Sequence, residues 1–161
     1  ENMARVFSHF NFPIICSNYV FSEYDLQHIV KPYVILRHKG LKIGVFALAP
    51  KLEGLVDRRN YGKTQYVDPV TTAQKMADLL HREKCDLVIC LSHLGWEEQG
   101  MGDQEVISHT RGIDLVLGGH SHTYFKTLRY VNNLDGKPVP VDQNGKSGIF
   151  IGKLTLQLSK K

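Results

Sequence analysis

Three imidazoles in this sequence stand where metal chemistry is easiest to arrange. His93 ends the apolar run of CDLVICLSHLG, and His120 and His122 follow a second such run in IDLVLGGHSH. A divalent cation needs donors whose lone pairs are free near neutral pH and whose backbone is held still, and histidines at strand ends meet both needs. Gly118 and Gly119 let the chain turn sharply with no side chains in the way. In an extended segment residues i and i+2 point to one side, which would give His120 and His122 to one ion, whereas a loop can divide them between two. Three imidazoles suit structural and catalytic zinc alike, so spacing alone stops at a metal site with the ion unspecified. Against this stands a plain reading, in which His120 and His122 are a solvated loop pair and His93 caps a helix or bonds within the core. Three histidines at the ends of two similar strands favour the metal site.

Other reactive types are framed less well. His9, His28, His38, His81 and His109 lie in helix or turn contexts with no flanking acids or glycines, and are read as surface residues. Glu97 and Glu98 are read as a charged helix start, and Trp96 as half-buried beside the strand end. Ser121 has no Gly-x-Ser-x-Gly elbow, and no Gly-x-x-x-x-Gly-Lys loop is present to cradle phosphate. Any phosphate handled here would have to be handled by metal.

The elements that must hold these histidines can be read from periodicity. Two Asp-Leu-Val runs, each ending at a histidine, predict parallel neighbouring strands with a helix over 103–110 between them. Both histidine turns would then emerge at the carboxyl edge of the sheet, where open α/β sheets place ligands. Upstream, Met3, Val6, Phe7 and Phe10 recur at helical spacing, and IICSNYV reads as a strand. Two apolar runs around RHKG predict a hairpin whose second arm, 42–49, is buried on both faces. Residues 51–67 read as loop. Asp68 before Pro69 predicts an N-cap, and Val70, Ala73, Met76, Ala77 and Leu80 an apolar stripe on a helix ending near Lys84. From Lys137 onward, an Asn-Gly turn and alternating Leu154, Leu156 and Leu158 predict antiparallel strands.

A length of 161 residues with 42% hydrophobic and 22% charged residues fits a single globular domain over 1–161. No apolar run reaches the roughly 18 residues of a spanning helix, and the first residues lack a signal-peptide layout. The net charge of +4 is scattered, which predicts a solvated surface and no nucleic-acid partner. Cys16, Cys85 and Cys90 lack paired metal or redox spacing, and Cys16 and Cys90 read as small buried hydrophobes, so they do not report the compartment.

At LSHLGWEEQG and RGIDLVLGGHSHTYF the sequence resembles the calcineurin-like metallophosphoesterase domain of the 5′-nucleotidase family, with supporting matches at FPIICSNYVF, KPYVILRHKGLKIGVFAL and GKLTLQL. The resemblance implies an α/β (α+β) fold, part of a β-sandwich flanked by helices. It implies a hydrolase that releases phosphate from nucleotides or related esters through a hydroxide activated by two divalent ions (Mn, Zn, Mg or Fe/Zn). His93 and His120 would ligate one ion and His122 the other. The family's Asp-x-His and Gly-Asn-His-Glu motifs are missing from 1–161, and no Gly-Asp precedes His93, where the family carries it. The chain therefore reads as the second half of the domain, expected to bind one ion weakly or none and to be inactive alone, with open sheet edges that invite self-association. The nucleoside-binding domain that usually follows is not represented either. Family analogy implies a periplasmic or cell-surface location. A cyclic-nucleotide phosphodiesterase with the same site is the alternative enzyme, and a non-catalytic binding module that kept the fold is the alternative from outside the enzymes.

Overall fold

A computed structural model of the chain describes residues 2–22, 24–97 and 101–158. In chain order the elements are α1 (Asn2–Phe7), β1 (Ile14–Ile15), β2 (Tyr19–Val20), α2 (Tyr24–Ile29), β3 (Val30–Lys31), β4 (Tyr33–His38), β5 (Leu41–Leu48), α3 (Arg58–Tyr61), β6 (Gln65–Tyr66), α4 (Pro69–Arg82), β7 (Leu87–Ser92), α5 (Asp103–Ser108), β8 (Leu115–Leu117), β9 (Arg129–Asn132) and β10 (Pro138–Asp142). A six-stranded mixed sheet in the order β4-β5-β7-β8-β10-β9 forms the framework. Its centre is parallel, from β5 through β7 and β8 to β10, and both outer pairs are antiparallel. The α/β expectation is met.

From β5 to β8 the sheet is parallel because a helix returns the chain between successive strands, while between β8 and β10 the antiparallel β9 does so. From β5 the chain comes back through α4, whose start is fixed by Asp68: the carboxylate accepts from the Thr71 N–H at 2.8 Å, and Pro69 follows. Such a cap stabilises a helix by about 1 kcal/mol. The stripe read from sequence points inward, with Ala73, Met76, Ala77 and Leu80 buried against Phe46, Leu48, Val88 and Cys90. Between β7 and β8 the shorter α5 buries Val106 and Ile107 in the same core. Strand alternation then assigns the faces: Val88, Cys90 and Val116 lie in the helical core, while Ile89, Leu115 and Leu117 line a groove of about 540 Å³ on the opposite face.

Several local expectations need correcting. The run IICSNYV is not one strand: β1 pairs with β3 and β2 with β6, in two separate two-stranded sheets. Between them the fully buried Asn18 takes the place of a strand partner, its amide bonding both the N–H and the carbonyl of Ala49 at 2.8 Å. The 51–67 segment is not all loop, since α3 and β6 fall within it. Glu97 does not begin a helix, because α5 starts at Asp103; Glu98 lies outside the described residues. Strand β10 is antiparallel to β9 as expected but parallel to β8 on its other side. Leu154, Leu156 and Leu158 form no strand, because alternation alone cannot make one without a neighbouring strand to pair with. Leu154 and Leu156 line the groove over Ile89, Leu115 and Leu117 instead.

Candidate metal centre

Both histidine turns leave the sheet at its carboxyl edge. Strand β7 ends at Ser92 and pairs with β8, with Leu91 opposite Leu117. The His93 N–H donates to the Leu48 carbonyl at the end of β5, which extends the parallel register into the turn. Beyond β8, the Gly118 N–H donates to the Asp142 carbonyl at the end of β10. Neighbouring parallel strand ends thereby hold two short turns side by side.

The geometry brings His93 and His120 together, with ring centroids 5.2 Å apart and planes inclined at 69°. Gly119 makes room for this pair, since a Cβ there would come within 2.9 Å of His93 Nδ1. The His93 ring is crowded although the residue is solvent-exposed. Loss of solvation first, and then the neighbouring His120 and His122, hold its pKa below the ordinary imidazole value. His93 is therefore kept neutral, with a lone pair ready to be donated. His122 contributes to that field without entering the ring pair, and its side chain is exposed.

His120 and His122 both adopt left-handed backbone, with φ of 72° and 57°. The segment is thus a loop, not an extended strand, and the rule that i and i+2 share a side does not govern it. Among the described residues no group of three or more His, Cys, Asp or Glu side chains converges as a complete cation site. What the donor set offers is a close imidazole pair with a third imidazole beside it, chemistry that suits a borderline cation such as zinc or ferrous iron.

Below this edge lies a buried polar layer with no recognisable motif in the sequence. Gln143, 1% exposed, accepts through Oε1 from the Ser121 hydroxyl at 2.9 Å and from the Thr123 N–H at 2.6 Å, so it grips the residues on both sides of His122. Ser121 Oγ in turn accepts from the Trp96 N–H at 3.1 Å. Asp103, also 1% exposed, accepts a short hydrogen bond from Ser92, the residue before His93. Burial pushes its carboxyl up to about 6, and the Ser92 bond opposes the shift. An aspartate at the first position of a helix reads as a cap or a macrodipole partner, and a glutamine before Asn-Gly reads as turn surface, so neither announces burial. Trp96 is half-buried and packs edge-on against Phe125 at 5.0 Å, as read from the sequence. The other five histidines are exposed, as expected.

A family model described as calcineurin-like phosphoesterase matches residues 2–124. The trifunctional nucleotide phosphoesterase protein YfkN of Bacillus subtilis is 30% identical, over 93% of this chain and 11% of its own length. The 5′-nucleotidase of Diplobatis ommata is 27% identical, over 93% of this chain and 28% of its own. Among solved structures, the 5′-nucleotidase precursor from Thermus thermophilus superposes with a TM-score of 0.77 at 26% identity, over 88% of this chain and 29% of that one. The chain thus spans less than a third of the length of each of these relatives.

Proposed function

Because the chain belongs to the calcineurin-like phosphoesterase family, we propose that it takes part in hydrolysis of nucleotide phosphate esters, with His93 and His120 holding one divalent ion and His122 serving a second. The observation that carries this reading is the His93–His120 ring pair at the carboxyl edge of β7 and β8, with His93 kept neutral. Two divalent cations in such a site supply Lewis-acid stabilisation of phosphoryl charge and an activated water. The chain's own residues do the positioning. Gly118 and Gly119 keep side chains out of the turn, and Gln143 and Ser121 fix the loop that bears His120 and His122.

Asp103 is not a candidate to bridge ions, since its carboxyl is buried against Ser92 below the edge. In this reading the acidic ligands come from polypeptide outside 1–161, and residues 1–161 alone release no phosphate. The outer edges of β4 and β9, which end the six-stranded sheet among the described residues, support self-association of the isolated chain, with sedimentation as its check. No helix among the described residues is long and apolar enough to cross a membrane, and the exported location rests on the family reading.

The test is phosphate release from AMP and from 2′,3′-cyclic AMP, with Mn²⁺, Zn²⁺ or Mg²⁺ supplied, by this chain and by one extended upstream. Activity on AMP in the longer protein only, lost on His120→Ala, is the expected result. Activity confined to the cyclic substrate would move the assignment to a phosphodiesterase. No activity in either protein would overturn the hydrolase reading in favour of a binding module.

A further inference from the structure

Ser92, Asp103, Gln143, Ser121 and the Trp96 N–H surround the roots of both histidine turns, yet none of them is a metal donor in the proposed site. Two atoms of this layer stand out. Among the described residues, Asp103 Oδ2 and Gln143 Nε2 are buried without a hydrogen-bond partner, and they are an acceptor and a donor. Both face Gly118, where a Cβ would lie 2.5 Å from the first and 3.0 Å from the second. Gly118 is thus the point where two arms meet. One runs through Asp103 to Ser92 beneath His93, and the other through Gln143 to Ser121 and Thr123 around His122.

The second arm also closes a ring. Ser121 Oγ receives the Trp96 N–H, three residues beyond His93, while it donates to Gln143, one residue past β10. The His93 turn and the His120/His122 loop are therefore joined directly through the Ser121 hydroxyl, which the buried Gln143 amide holds in place. That loop carries two non-glycine residues at positive φ, a conformation that persists only when surrounding contacts over-determine it. The hydrogen bonds of Gln143 Oε1 are such contacts.

From this arrangement we infer that Gln143 is a positioning residue, which sets the spacing of His93, His120 and His122 and hence the affinity of the edge for a divalent cation without touching that cation. The inference rests on the metal reading of the three histidines. Partners that orient ligands commonly change metal affinity by about 10- to 100-fold when removed. Gln143→Met keeps the buried volume and removes both acceptor contacts. Ser121→Ala removes the tie to Trp96 with almost no change in packing.

The experiment measures Zn²⁺ affinity by competition with a chromophoric chelator, on the intact polypeptide that carries these residues. It compares wild type, His120→Ala, Gln143→Met, Ser121→Ala and the core control Val139→Ala, with amide exchange read at Thr123 and Trp96. Val139 is buried in the core away from the histidines and controls for simple loss of stability. The expected result is a weakening of about 10-fold or more for Gln143→Met and for Ser121→Ala. Faster exchange should accompany it at Thr123 in the first variant and at Trp96 in the second, with Val139→Ala unchanged in affinity.

Should Gln143→Met not fold, Ser121→Ala carries the test alone. Wild-type affinity in the variants despite faster exchange, or an equal loss in Val139→Ala, would overturn the role of Gln143 and leave the metal reading standing. Wild type binding Zn²⁺ no better than His120→Ala would overturn the metal reading and this inference with it.

Discussion

Substituting Asp103 by asparagine should remove a pH-dependent penalty that the wild-type fold carries. The carboxyl is 1% exposed, and among the described residues its one hydrogen bond comes from Ser92. Burial pushes its pKa from 3.8 up to about 6. A raised carboxyl pKa means that the unfolded chain gives up this proton first. Stability is therefore unaffected below about pH 4, falls as pH rises toward about 6, and stays lowered above that. At about 1.4 kcal/mol per tenfold change in acidity, the full loss is about 3 kcal/mol, a large part of the stability of a small domain.

An asparagine side chain cannot ionise, so Asp103→Asn lacks this slope, and its own effects on packing and on the Ser92 bond form a pH-independent offset. Urea unfolding of both proteins at pH 4.5, 5.5, 6.5 and 7.5 with chelator present isolates the effect. The titration of His93 and of the surface carboxylates is common to both and cancels. Part of the loss has already occurred by pH 4.5, so the stability difference should move toward the variant by about 2 kcal/mol across the series. Parallel curves, with a difference constant to within about 0.5 kcal/mol, would refute the claim that this buried carboxyl resists ionisation.

Further substitutions probe the same framework. Gly118→Ala should destabilise by about 1–3 kcal/mol in urea unfolding, because the new Cβ would fall 2.5 Å from Asp103 Oδ2; combined with Asp103→Ala it should cost less than the sum. Leu80→Ala, at a fully buried position on α4, should cost about 2–5 kcal/mol by the same measurement. With a thiol reagent at pH 8, half-buried Cys16 should react first and Cys90 only on unfolding, since complete burial beside Asp103 holds its thiol protonated; mass-mapped labelling kinetics give the order.

The elements that carry the histidines were legible because each has a strong local signal. Asp68-Pro69 marks the start of α4 at the right residue, and the repeated Asp-Leu-Val runs do become parallel neighbours with a helix between them. What escaped depends on contacts distant in sequence. Nothing local says that Asn18 will replace a strand partner for Ala49, or that Leu154 and Leu156 will lie over Ile89, Leu115 and Leu117 without forming a strand. At the histidine edge the residue types were readable and the backbone was not. An i, i+2 pair reads as extended, and only the structure shows two left-handed residues clamped from below by Gln143.

Those two φ angles bear on how such a sequence changes over generations. Histidine in the left-handed region costs the fold about 1 kcal/mol or more that glycine would not, at both position 120 and position 122. Selection for folding alone therefore pushes toward glycine or asparagine at these positions, and only a demand for imidazole pushes back. A descendant released from that demand would be expected to lose these histidines early and become more stable as it does so. The residues at 120 and 122 would thus record when a lineage stopped needing its histidine edge, while the core beneath kept its shape.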